Sequence, residues 1–146
     1  MEQLLKQLEH LMYGYNYQVT FGWLHLEGCH NQKDCLLEIK KNLRDSVIES
    51  FIKKTENELW EEVEFGLNFR GDETAGLELD QSQEFAVSGV QAKYRTAISK
   101  YLVERTEILS LRSFDGIPGY PVYWDFNNVL VNQSGNSVFF WGSASD

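Results

Sequence analysis

Residues 56–84 read ENELWEEVEFGLNFRGDETAGLELDQSQE, and how this stretch folds decides the architecture of the chain. It holds ten acids (Glu56, Glu58, Glu61, Glu62, Glu64, Asp72, Glu73, Glu78, Asp80 and Glu84) against one base, Arg70. Its net charge of −9 equals that of the whole 146-residue chain, so the remaining residues balance. Val63, Phe65, Leu67 and Phe69 alternate with polar residues, and Leu77 and Leu79 alternate with Glu78 and Asp80. Period-two alternation is the mark of a half-buried strand. The stretch therefore predicts a β-hairpin closed by the turn RGDETAG, apolar on one face and acidic on the other. Glu62, Glu64, Glu78 and Asp80 would then form a grid of carboxylates on the outer face.

Outward from this window, Leu4, Leu5, Leu8, Leu11 and Met12 follow a helical period over residues 2–12. Tyr15, Tyr17, Val19, Phe21 and Trp23 alternate, predicting a strand over 15–26 whose aromatic row faces the core. A polar turn at 28–33 leads to a second helix over 34–52, capped by Asn31 or Asp34. A third helix is expected from Ser88, which forms an S-x-x-Q box with Gln91, to about Glu104. The segment SFDGIPGYP at 113–121 holds both prolines and reads as a loop. Beyond it, 122–141 predicts a three-stranded meander turning at Asn127–Asn128 and again at Ser134–Asn136. The closing GSASD is expected to fray. The predicted order is α-β-α-β-β-α-β-β-β, an α+β fold over residues 1–146 as a single domain, with an antiparallel or mixed sheet and helices on one face.

Composition narrows the function classes. Hydrophobic content of 42% and aromatic content of 14% exclude a disordered chain. No apolar run approaches a membrane span, and MEQLLKQLEHL is amphipathic rather than a secretory leader, so a cytoplasmic location is expected. The acidity opposes direct binding to nucleic acid or to anionic membranes.

Three constellations bear on chemistry. Cys29, His30 and Cys35, with His25 nearby, carry zinc-ligand chemistry, but the cysteines are separated by five residues and no second pair follows. The same residues form a Cys-His pair, with Cys35 near a helix N-terminus that would lower its thiol pKa. Paired carboxylates in the acidic window would suit hydrolysis, although strand alternation projects them outward instead of into a cleft. No phosphate-cradling glycine loop, G-x-S-x-G or H-E-x-x-H motif occurs. The expectation is a protein that is not an enzyme and takes no metal or other cofactor.

A concentrated acidic face steers a basic partner, and apolar anchors beside it supply affinity. The expected partner-binding residues are Glu56, Glu58, Trp60, Glu61, Glu62, Glu64, Asp72, Glu73, Glu78 and Asp80. In size, charge and α+β organisation the chain resembles the immunity proteins of bacterial polymorphic and contact-dependent toxin systems. That resemblance implies a non-enzymatic inhibitor occluding a basic toxin domain, such as a nuclease. The alternatives are a small hydrolase or metal-dependent enzyme with its site near Cys29–Cys35 or residues 113–121, and an accessory subunit of a larger assembly.

Overall fold

A computed structural model describes residues 1–43, 48–71, 78–113 and 122–145. Among these residues four helices and five strands follow in the order α1 (Glu2–Met12), β1 (Gln18–Glu27), α2 (Gln32–Asn42), β2 (Ile48–Lys53), α3 (Glu56–Asn68), α4 (Gln81–Ser99), β3 (Glu107–Ser113), β4 (Trp124–Val131) and β5 (Asn136–Ser145). The strands form one antiparallel sheet in the order β1-β5-β4-β3-β2. The fold is α+β. Among the described residues no helix is long and apolar enough to cross a membrane.

Side-chain alternation divides the core between the two faces of the sheet. One face carries Val19 and Phe21 of β1, Val138, Phe140 and Ala144 of β5, and Trp124, Phe126 and Leu130 of β4. It is covered by Leu5, Leu8 and Met12 of α1, Leu59, Val63 and Leu67 of α3, and Tyr94 and Ile98 of α4. The other face presents Leu26, Leu109, Leu111, Val129, Val131 and Phe139 to Cys35 and Ile39 of α2. Helices thus lie on both faces, three against one, where the sequence predicts one covered face. Each fully buried aliphatic or aromatic side chain contributes about 1.5–3 kcal/mol. At the β1–β5 pair, Trp141 lies opposite Gly22 and its indole crosses the glycine, where a Cβ would fall 1.9 Å from the ring.

The largest correction falls on the window that opened the sequence reading. Residues 56–68 are a helix, not the first arm of a hairpin. Thr55 starts it with a capping box: Glu58 N donates to Thr55 Oγ1 at 3.1 Å, and Thr55 N donates to Glu58 Oε2 at 2.7 Å. Leu59, Val63, Gly66 and Leu67 then form the buried stripe at helical spacing. Phe65, expected inward, is 58% exposed. The proposed turn and Leu77 fall largely at residues 72–77, outside the described residues.

Other boundaries shift for identifiable reasons. The second helix ends at Asn42, and Ile48–Lys53, predicted as its continuation, is the edge strand β2. Asn31 caps α2, its side chain accepting from Asp34 N at 2.9 Å. The third predicted helix begins seven residues early, because Asp80 and Gln83 form the capping box instead of Ser88 and Gln91. Gln91 is buried, and its Nε2 donates to Leu67 O at 2.7 Å, closing the end of α3. Strand β3 has no counterpart in the sequence reading.

Asn127–Asn128 is not a turn, since β4 runs straight through it. The Asn127 side chain takes the place of a ladder step. Its Oδ1 accepts from Leu111 N at 2.6 Å and its Nδ2 donates to Leu111 O at 3.2 Å. Nor do Gly142–Ser145 fray: they belong to β5, which pairs with both β1 and β4, and Asp146 lies outside the described residues. The predicted loop 113–121 lies outside the described residues beyond Ser113.

Candidate partner-binding site

Helix α3 distributes the acids of the window over several faces. Residues two apart on a helix point about 200° away from each other, so Glu62 and Glu64, expected side by side on a strand, diverge. Glu64 turns to α4, where Arg95 Nε and Nη2 hold its two oxygens at 2.5 and 2.8 Å. The Arg95 bonds pull the Glu64 carboxyl below its ordinary range. Glu56 accepts from the Trp60 indole at 3.4 Å, and Trp60 packs half-buried against the main core. Glu58 and Asp80 are engaged as helix caps. Glu78 is exposed just before α4, whereas Asp72 and Glu73 lie outside the described residues. The four-carboxylate grid is therefore not formed.

A different constellation takes its place. Glu58, Glu61, Glu62 and Phe65 lie at i, i+3, i+4 and i+7, a single helical face. Beside this face lies the start of β4, and between the two elements runs an open groove of about 340 Å³ lined by Glu61, Glu62, Phe65, Tyr123, Trp124 and Asp125. The floor is rigid. Trp124 is 5% exposed, stacks on Phe126 at 5.7 Å between centroids, and donates its indole N–H to Tyr17 Oη at 2.7 Å. Phe69 bridges the aromatic walls, 5.7 Å from Phe65 and 5.8 Å from Tyr123.

The three acids differ electrostatically. Glu62 is neutralised by Lys54, whose ammonium also donates to Asn127 O at 3.2 Å and Asn128 Oδ1 at 3.3 Å. The Lys54 side chain is only 10% exposed, so this pair belongs to the fold. Glu61 and Asp125 are exposed, and their side chains make no ion pair or hydrogen bond with any described residue. Two carboxylates without a partner among the described residues thus flank two exposed aromatic rings, Phe65 and Tyr123 (58% and 38% exposed). Of the groove, the sequence reading named Glu61 and Glu62. It missed Phe65 because the strand period turned that residue inward. It missed Tyr123 and Asp125 because only the sheet brings them to α3.

The cysteine region has a different character. Cys29 and Cys35 are free and buried. Burial pushes the Cys35 thiol up to about 12 and raises Cys29 as well, overriding the depression expected from a helix N-terminus. His30 Nδ1 lies 2.7 Å from Gln133 O, and His25 Nε2 lies 3.0 Å from Asn136 Oδ1, so each ring is held separately. Among the described residues no three His, Cys, Asp or Glu groups are placed to share a metal ion. A larger cavity of about 490 Å³ opens at the other end of β4, lined among others by His30, Lys33, Arg105, Glu107 and Val131, with cations outnumbering the acid.

No protein-family model and no curated protein matches the chain. Two crystal structures of citrus MAF1, in different crystal forms, share its fold. One superposes with a TM-score of 0.62 at 13% identity, covering 98% of this chain and 97% of the other. The second gives 0.58 at 13% identity, covering 97% and 99%. At that identity the likeness is one of fold.

Proposed function

We propose that the chain is a non-enzymatic, acidic protein-binding module: an immunity-type inhibitor that acts in the cytoplasm and occludes the basic active-site surface of a toxin domain such as a nuclease. The observation that carries this reading is the groove between α3 and β4, where unpaired carboxylates adjoin exposed aromatic rings. Protein interfaces gain most of their affinity from such apolar anchors, and charge around them sets partner choice and association rate. A surface of this sign and build suits a partner that itself binds phosphates, because such a partner is basic where it acts.

The test is growth rescue. On this proposal a toxin domain is expected to be encoded beside the gene of this chain, and the two are co-produced. The wild type should restore growth, and the doubly reversed variant E61K/D125K should not, while its circular dichroism and melting remain those of the wild type. Neither carboxylate holds the fold, so loss of rescue would report the surface. Equal rescue by the reversed variant, or no rescue by the wild type, would contradict the proposal.

A further inference from the structure

We infer that the groove between α3 and β4 is a receptor for one arginine side chain of the partner; the inference rests on the reading that this face meets a basic protein. Three features of the groove select this group. First, it is an open groove whose lining offers the exposed rings of Phe65 and Tyr123 beside the buried Trp124. A planar guanidinium stacks on aromatic faces, whereas an ammonium is a compact, strongly hydrated point charge. Second, the two carboxylates that have no partner among the described residues come from different elements, Glu61 from α3 and Asp125 from β4. A guanidinium presents five donors in a plane and can reach two acceptors at once, which three donors on a single nitrogen match less well. Third, Glu62 already has its cation in Lys54, a residue of this chain that is itself largely buried. The groove therefore has carboxylates to spare for one incoming cation.

The walls are also pre-organised. Phe69 holds both aromatic rings through contacts under 6 Å, and Gly66 seats α3 directly on the Trp124 indole. These contacts reduce the ordering that binding of a side chain requires.

The experiment uses the folded full chain and needs no knowledge of the partner. N-acetyl-arginine amide is titrated into labelled protein while the backbone amide spectrum is followed, with N-acetyl-lysine amide as the matched control. Saturable shifts confined to Glu61, Phe65, Tyr123 and Asp125 are expected, with the amides of Lys33 and Arg105 at the other cavity unmoved. The Phe65→Ala variant should bind roughly threefold more weakly, the worth of one exposed cation–π contact, and the lysine probe should lose a similar factor because its ammonium lacks the planar fork. E61Q/D125N should abolish saturation. Equal binding of the two probes, shifts spread over the whole acidic surface, or no shift would overturn the inference. If the arginine probe failed while E61K/D125K still lost growth rescue, the groove assignment alone would fall. If the probe bound but rescue did not occur, the inhibitor reading would fall instead.

Discussion

Gly66 lies against the indole of Trp124 so closely that a Cβ on the glycine would fall 2.8 Å from ring atoms Cε3 and Cζ3. This contact sets the distance between α3 and β4, and with it the width of the groove. Two effects oppose each other in Gly66→Ala. Helix propensity favours alanine by about 1 kcal/mol, but the added carbon meets a rigid ring held by Tyr17 and Phe126. Overpacking of this kind costs about 1–3 kcal/mol. The prediction is net destabilisation in urea unfolding, with a changed Trp124 fluorescence. A gain in stability equal to the propensity term would show that the helix does not rest on Trp124.

The Glu64–Arg95 pair predicts a specific acid response. Arg95 hydrogen-bonds the carboxylate and lowers its pKa from 4.5. A carboxylate depressed in the folded state contributes stability above its unfolded pKa and loses it as pH falls through the folded value. Glu64→Gln should therefore cost up to about 1 kcal/mol at pH 7, since the pair is partly exposed. The difference from wild type should vanish below the folded pKa of Glu64, which itself lies under 4.5. Parallel pH–stability curves throughout that range would count against the pair.

Tyr94 lies fully buried in the main core, its ring edge-on to Phe21 at 5.4 Å, and its hydroxyl has no hydrogen-bond partner among the described residues. Burial raises its pKa strongly. Phenylalanine keeps the ring and removes an unsatisfied polar atom, so Tyr94→Phe should leave stability unchanged or raise it by about 1 kcal/mol. Thermal melting checks this, and a clear loss would reveal a partner for the hydroxyl.

The thiols should be inert in the native protein. Burial pushes the Cys35 thiol up to about 12 and raises Cys29 as well. A thiol reagent at pH 7 should label neither cysteine until denaturant opens the fold, after which both should react. Rapid native labelling of Cys35 would restore the activated-nucleophile reading that its position at the start of α2 invites.

How far this architecture is legible in the sequence depends on which period dominates each segment. The first helix and the α+β class follow from clean periodicity, and so does the first strand apart from its start: β1 begins at Gln18, and Tyr15, expected in the core-facing row, is 89% exposed. Residues 59–69 satisfy two patterns at once: Val63, Phe65, Leu67 and Phe69 at period two, and Leu59, Val63, Gly66 and Leu67 at helical spacing. The local signal that separates them is the capping box of Thr55 and Glu58, just upstream. Asn127 misled for another reason. An asparagine pair favours turns, yet here its amide replaces a backbone step towards Leu111. The groove was only half legible because Glu61 and Asp125 are neighbours through the sheet, not through the chain.

Under the proposed function, Glu61 and Asp125 beside the α3–β4 groove draw in a basic partner. The most direct measurement is the association rate with the toxin domain recovered by growth rescue, for the wild type and E61K/D125K, at low and physiological salt. Electrostatic steering predicts a fall of roughly tenfold or more for the reversed variant, and a wild-type rate that drops steeply as salt rises. Rates that ignored both the charge reversal and the salt would contradict the claim.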